Sequence, residues 1–287
     1  MITTLPHSIL TLACPDSVGV VAAIAGFVSE RGCSIVESGN FSDTDSDTFF
    51  MRVEMTMPAN GADIEVLRDE FTPIAERFQM RWTMSSKADR KRIALLVSKD
   101  EHCLYDLLSR TRSGELAGDV VCVISNHNNL HDIAGWHNID FHHIPMTAEN
   151  RSEAFDSVDQ LLQQYNVDVV VLARFMQIFP AELCEKYAGR MINIHHSFLP
   201  SFKGSRPYHQ AHDRGVKLIG ATCHYVTDDL DEGPIIEQDV IRIEHSDNVA
   251  SHRRSGKDIE KAVLARGLRW HLEDRVFVSG LRTVVFR

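Results

Sequence analysis

The sequence predicts an α/β protein of two domains, at residues 1–87 and 88–287. Three observations lead there. The polar stretch Ser85-Ser-Lys-Ala-Asp-Arg-Lys-Arg92 reads as a linker. Before it, the periodic segments run in the order βαββαβ, a ferredoxin-like split unit. After it, continuous apolar strands alternate with helices, the pattern of a doubly wound, mainly parallel sheet covered on both faces.

In the first domain, Ser8-Ile-Leu-Thr-Leu-Ala13 reads as a strand. An amphipathic helix covers 18–31 and closes at Gly32, where a left-handed cap residue suits glycine. Ser34-Ile-Val-Glu-Ser-Gly-Asn-Phe41 is the next strand, followed by an acidic turn with Asp43, Asp45 and Asp47. Thr48-Phe-Phe-Met-Arg-Val-Glu-Met-Thr-Met57 alternates as a half-buried strand. A helix over 64–78 and a strand over 79–84 complete the unit. Asp16 is placed to cap the first helix, and Gly19 to let backbone approach a neighbour closely.

In the second domain, strands are expected at 92–98, 120–125, 141–144, 167–173 and 191–195. Helices are expected over 104–112 and 152–165, with a helical piece from Pro180. Residues 217–226 alternate as a strand, 227–234 turn sharply, and Ile235-Ile-Glu-Gln238 is extended again. A helix over 256–266 and a short hairpin turning at Ser279-Gly280 end the chain.

Composition excludes several classes. Hydrophobic residues at 44% and charged residues at 24% rule out a disordered chain, a collagen-like fibre and a disulfide-stapled scaffold. The net charge of −10, with no Lys/Arg block, argues against a nucleic-acid partner. No apolar run reaches the roughly 18 residues of a membrane span, and Met1-Ile-Thr-Thr-Leu-Pro6 lacks a signal-peptide layout. Six scattered cysteines, none in a C-x-x-C pair, read as buried free thiols of a reducing cytoplasm. His7 is the only histidine before His102, and fourteen follow from there. Histidine suits proton traffic near neutral pH, so chemistry is expected in the second domain.

Ligands of open α/β sheets sit beyond the carboxyl ends of the strands. Asn193 and His195 lie two apart on one such strand and share a face. An amide beside an imidazole suits a carbonyl oxygen turning into an oxyanion, although such a pair also serves as plain hydrogen bonders. Asp228, Asp229, Asp231 and Glu232 form either a solvated turn or a carboxylate held beside His195 to orient water.

Cys14-Pro-Asp-Ser-Val-Gly19, Gly32 and the strand with Asn40 resemble the ACT domain, a small-molecule-sensing module. The resemblance implies an effector pocket using Asp16, Gly19 and Asn40, an amino-acid effector such as glycine or methionine, and a homo-oligomer. Assembly without a ligand is the other reading.

Asn193-Ile-His195, Leu199-Pro-Ser-Phe-Lys-Gly204 and His224 followed by Asp231 resemble the formyltetrahydrofolate-dependent transferase family. Val170-Val-Leu-Ala-Arg-Phe-Met-Gln-Ile178 resembles its folate-binding stretch. The resemblance implies a formyltransferase-type sheet in which Asn193 and protonated His195 stabilise the formyl oxyanion. Asp231 would manage the proton, with His224 beside it. Arg174, Phe175, Met176, Gln177 and Ile178, with Thr227, Asp228, Asp229 and Leu230, would bind folate.

Where a glycinamide ribonucleotide transformylase has a glycine-rich phosphate loop, this chain reads Val97-Ser-Lys-Asp-Glu-His102, with two carboxylates and no glycine. Only about 50 residues follow Gln238, too few for the extra nucleic-acid-binding domain of a methionyl-tRNA formyltransferase. Water is left as the acceptor. An amino-terminal ACT module on this fold is similar to the formyltetrahydrofolate deformylase family. That likeness implies hydrolysis of 10-formyltetrahydrofolate to formate and tetrahydrofolate, formate supply to one-carbon and purine metabolism, and no cofactor. Three alternatives stand beside it: a regulatory binding protein without catalysis, a transferase with another amine acceptor, and a metal mechanism. The last would use His195-His196 or His209-x-x-His212, without an H-E-x-x-H or Cys-His grouping to support it.

Overall fold

Alternation along the first strand organises the first unit: Leu10, Leu12 and Cys14 face one way and are buried. In the computed structural model, which describes residues 6–57, 63–201 and 207–287, that strand is β1 (His7–Pro15). It is followed by α1 (Val20–Glu30), β2 (Ile35–Asp43), β3 (Thr48–Thr56), α2 (Ile64–Arg77) and β4 (Arg81–Ser86). The antiparallel sheet has the order β2-β3-β1-β4. Its apolar face packs on Ile24, Phe27 and Val28 of α1 and Leu67, Phe71 and Ala75 of α2. Phe71 stands edge-on to Phe27 at 5.0 Å and to Trp82 at 4.9 Å. This is the expected ferredoxin-like unit.

Four local expectations need correction. The Asp16 cap does not form: α1 starts at Gly19, at φ 97°, with no side-chain cap, and the Asp16 N–H donates to the Asp47 carbonyl at 3.1 Å. No atom stands within 4 Å of a Cβ built on Gly19, so its left-handed backbone, not close approach, calls for glycine there. β3 is not half-buried, since all seven of its central residues are covered. Its second face is closed by Phe277, 5.7 Å from Phe50, and by polar partners of Arg52 and Glu54. Arg52 donates to the Glu273 carbonyl and to Glu37; Glu54 accepts from Lys87 and pairs with His7. The expected linker shrinks to 87–90, because β4 runs to Ser86 and β5 begins at Lys91. At the other end of α1 the glycine expectation holds. Gly32, at φ 67°, donates to Ser29 at 3.0 Å and Cys33 to Val28 at 3.1 Å, a Schellman close.

The second unit contains β5 (Lys91–Val97), α3 (His102–Arg112), β6 (Gly118–Ser125), α4 (His131–Trp136), β7 (Asp140–His143), α5 (Arg151–Gln164) and β8 (Val169–Leu172). It continues with α6 (Ala181–Lys186), β9 (Met191–His195), α7 (Pro207–Arg214), β10 (Leu218–Tyr225), β11 (Ile235–Arg242) and α8 (Val249–Leu272). The short β12 (Val276–Ser279) and β13 (Arg282–Val285) pair at the end. The seven-stranded sheet runs β11-β10-β9-β8-β5-β6-β7. It is parallel from β9 to β7, with β10 antiparallel to both of its neighbours. Ala94, Leu96, Val170 and Leu172 pack with Phe155, Val158 and Leu162 of α5. α8 lies close on β10, where a Cβ on Gly267 would meet Cys223 Sγ at 2.5 Å. The doubly wound expectation is met; α4 and most of the length of α8 were not anticipated. All six cysteines are buried and free, and burial pushes the Cys122 thiol up to about 12.

Contacts divide the chain into Met1–Arg90 with Glu273–Phe277 and Val284–Arg287, and Lys91–Leu272 with Val278–Thr283. The second domain had been expected to run to the last residue. Instead, Arg275 of the first unit holds Glu37 through two 2.9 Å hydrogen bonds, and Phe286 stands 5.4 Å from Phe277. The Arg275–Glu37 pairing spans 238 positions and has no periodic signature in the sequence.

Burial ranks the residues of the first unit by their expected cost. Phe71→Ala is expected to lose about 3–5 kcal/mol in urea unfolding, while Val66→Ala, exposed on the same helix, should stay within about 0.5 kcal/mol.

Candidate active site

The site is assembled by strand register. His224 on β10 lies directly opposite Asn193 on β9, and Thr222 opposite His195. Asn193 Nδ2 donates to His224 Nε2 at 3.1 Å, while His224 Nδ1 meets the Tyr225 carbonyl at 2.9 Å. A carbonyl only accepts, so Nδ1 carries the proton and Nε2 is the acceptor. Burial pushes the His224 pKa down, against the hydrogen bond to Tyr225 and the charge of Asp231, so the ring is neutral.

The turn after β10 supplies the carboxylate. Because β10 is antiparallel, this turn leaves beside the amino-terminal end of β9, where the Val226 N–H donates to the Met191 carbonyl. It then folds back far enough for Asp231 Oδ2 to reach His195 Nδ1 at 3.2 Å, with Oδ1 3.8 Å from His224 Nε2. Gly233 makes the return possible: a Cβ there would lie 1.8 Å from the Tyr225 carbonyl oxygen. Asp231 itself sits at φ 58°, a sparsely populated backbone state for a residue with a side chain. Burial favours its neutral form, but the hydrogen bond and charge of His195 hold the carboxyl below its usual value. His195 is buried, and its Nε2 has no hydrogen-bond partner.

These groups line one cavity of about 270 Å³. Asn193, His195, His224 and Asp231 share it with Arg174, Phe175, Met176, Gln177 and Ile178 and with Thr227, Asp228, Asp229 and Leu230. Met176 and Ile178 are exposed, whereas Phe175 is buried. His196, which sequence reading weighed only as a metal ligand, also lines it, as do Cys184, Phe179 and Val226, which it did not place there. Nor did it find Ser98, whose hydroxyl accepts from the Met176 N–H at 3.0 Å and bonds Asn126 at 2.7 Å, tying down the 174–178 stretch. Its place at the carboxyl end of β5 was the only available signal.

Other candidates fall elsewhere. Phe202, Lys203 and Gly204 lie outside the described residues. His209 lines a different cavity, and His212 is exposed on α7. Asp16 and Gly19 are exposed at the start of α1 and Asn40 on β2, with β3 between β1 and β2. Among the described residues, His102, Cys103 and Glu260 have potential metal-ligating atoms within 4.8 Å of one another. Both Glu260 oxygens are already engaged, by His102 and by Tyr208.

Residues 91–268 match the family described as Formyl transferase. The formyltetrahydrofolate deformylase of Bacillus subtilis is 44% identical over 278 residues, 96% of this chain and 93% of that protein. A crystal structure of a formyltetrahydrofolate deformylase from Pseudomonas syringae superposes with a TM-score of 0.96 at 51% identity, covering 100% of this chain and 96% of that one. The chain belongs to the formyltetrahydrofolate deformylase family. A glycinamide ribonucleotide transformylase from Symbiobacterium toebii matches 69% of this chain and 95% of its own, at 31% identity and a TM-score of 0.65. The fold is thus shared with that transformylase over 69% of this chain. Among the described residues no helix is long and apolar enough to cross a membrane.

Two glycines separate crowding from conformational freedom. Gly233→Ala in this deformylase-family chain is expected to lower stability by about 1–3 kcal/mol, because backbone must move. Gly26→Ala, inside α1 with no atom within 4 Å of the added Cβ, should raise it by about 0.5–1 kcal/mol. Thermal unfolding of the two variants checks both signs.

Proposed function

We propose that this protein hydrolyses 10-formyltetrahydrofolate to formate and tetrahydrofolate, using Asn193, His195 and Asp231. The observation that carries the reading is the 3.2 Å contact of His195 with Asp231 inside the cavity that also holds the 174–178 stretch. Asp231, favoured as the carboxylate, accepts a hydrogen bond from water and turns the water's lone pair toward the formyl carbon. As the oxygen adds, the carbonyl becomes an oxyanion. The second amide hydrogen of Asn193, left over after its bond to His224, and His195 Nε2 are the groups free to meet it.

Collapse of the adduct breaks the C–N bond. The water proton passes to Asp231, and the departing nitrogen receives one from His195 or through a water relay. His224 acts on Asn193 rather than on substrate, since its fixed tautomer keeps the amide NH₂ turned as a donor. The folate ring system is assigned to the apolar wall of Phe175, Met176 and Ile178, and its polar edge to the 227–230 turn. Every step uses water and the chain's own groups.

The first unit is read as an ACT-type sensor for an amino acid such as glycine or methionine, with Asp16, Gly19 and Asn40 in its effector site. Exposed Val18 and Val21, with Ile35, Val36 and Phe41 on β2, support pairing of such units in a homo-oligomer. Formate released under that control would feed one-carbon and purine synthesis.

Incubation with 10-formyltetrahydrofolate alone tests the function: formate must appear without any added acceptor. Asp231→Asn is expected to stop release while folate still binds, and Asn193→Ala to slow it about 10²–10³-fold. Normal turnover by the Asp231 variant would remove that residue from the mechanism.

A further inference from the structure

The central crevice of the second sheet is filled by the protein itself. From β5 the chain builds β6 and β7 toward one edge, then crosses to β8 and β9 on the other side of β5. In open α/β sheets, such a reversal point between neighbouring carboxyl ends is the default place for a ligand. Here it receives Arg174, two residues beyond β8, together with Asp100 from the loop after β5 and Glu260 from α8. We propose that this buried cluster makes Arg174 the residue that restricts the formyl acceptor to water, by occupying the space an amine acceptor would need. The inference rests on the hydrolase reading above.

The geometry is that of a plug. Arg174 adopts φ 66°, a backbone state suited to glycine, yet carries a long cation that is only 12% exposed. Its Nη2 reaches Asp100 at 3.3 Å and its Nε stands 3.5 Å from Glu260. Glu260, 1% exposed, is also bonded by His102 at 2.8 Å and by the Tyr208 hydroxyl. Lys257 completes the cluster on the other oxygen of Asp100 at 3.1 Å. Gly256 makes room for it, because a Cβ there would lie 2.1 Å from the Tyr208 oxygen.

Stability alone does not explain the plug. Buried ion pairs gain little over apolar packing of the same shape, and Arg174 Nε and Nη1 have no hydrogen-bond partner. Position does explain it. Arg174 lines the catalytic cavity, whereas His102 and Lys257 line a second cavity of about 640 Å³ behind the cluster, with Arg253, Arg254 and Lys261. The chain of contacts Arg174–Glu260–His102 therefore stands between that space and Asn193, His195 and Asp231. Arg174 also acts through its charge. With burial as the larger cause, it helps push the pKa of His196 down to about 3, next in sequence to His195. An entering ammonium group would meet the same cation. Water, small and neutral, escapes both obstacles.

Removal of the plug should let an amine compete. The amine nitrogen would attack the formyl carbon, the C–N bond to tetrahydrofolate would break, and the proton lost by the amine would pass to the departing nitrogen. Arg174→Gly, which suits the backbone, and Arg174→Gly/Glu260→Gln, which leaves no unpaired buried carboxylate, are incubated with 10-formyltetrahydrofolate and either glycinamide or hydroxylamine. Formate and formylated amine are quantified by mass spectrometry against enzyme-free controls. The wild type should yield formate whatever amine is present, and Arg174→Lys, which keeps a cation in the plug, should keep the wild-type product ratio at whatever rate it turns over. The glycine variants should raise the ratio of formyl-amine to formate at least about tenfold. Folded variants with an unchanged ratio overturn the proposal, whether they turn over normally, bind folate more weakly or have lost activity. Absence of formate from the wild type would instead strike the hydrolase reading itself.

Discussion

The site depends first on the antiparallel pairing of β9 with β10, in the register that sets His224 against Asn193. A slip of one residue would turn Asn193 and His195 away from the cavity and replace them with Ile192 and Ile194. Antiparallel direction matters as much as register. A parallel β10 would release its following turn beyond the carboxyl end of β9, whereas this one releases it at the other end and must fold it back. Gly233 against the Tyr225 carbonyl and the left-handed backbone of Asp231 are the local consequences of that return.

Two carboxylates in the second unit show how environment divides labour. Asp231 and Glu260 are both held below the usual carboxyl range despite burial. Glu260 is 1% exposed and has a protein donor at each oxygen, His102 of α3 and Tyr208 of α7, with the Arg174 cation 3.5 Å away. Asp231 has His195 close by and His224 farther off, and it borders the cavity. An ionised carboxylate that borders a cavity can hold water; one enclosed by protein donors can only hold the protein. The charge state is the same, and the difference lies in how many partners the fold supplies.

Much of this was legible in the sequence because it is local. Period-two alternation puts Asn193 and His195 on one face without reference to any other segment, and Gly32 announces a helix end by its own conformational freedom. What sequence reading missed requires knowing which distant segments meet. The covering of β3 comes from residues after 272, so its alternation suggested a solvent face that does not exist. Asp16 looked like a cap because its type and position suit one, but backbone geometry at Gly19 moved the helix start out of its reach. Asp100 was read as a charge that would repel a phosphate. Its partners Arg174 and Lys257 lie 74 and 157 positions away, and only the folded chain shows the acid holding a cation in place.

That last reassignment bears on why one sheet serves both transfer and hydrolysis. A transferase must admit an amine while denying water, which requires a shaped second site and a closed cavity. A hydrolase needs no affinity for its acceptor, because water is always present, so the second site can be filled without loss. An apolar filler would exclude amines equally well, but it would also dry the cavity where the proposed mechanism has Asp231 hold a water molecule. A guanidinium occupies the volume and brings a charge to the cavity wall. The desolvation cost of burying it is offset by Asp100 and Glu260. The choice of a charged plug over an apolar one thus follows from the identity of the nucleophile: the space must be closed to amines and still remain wet.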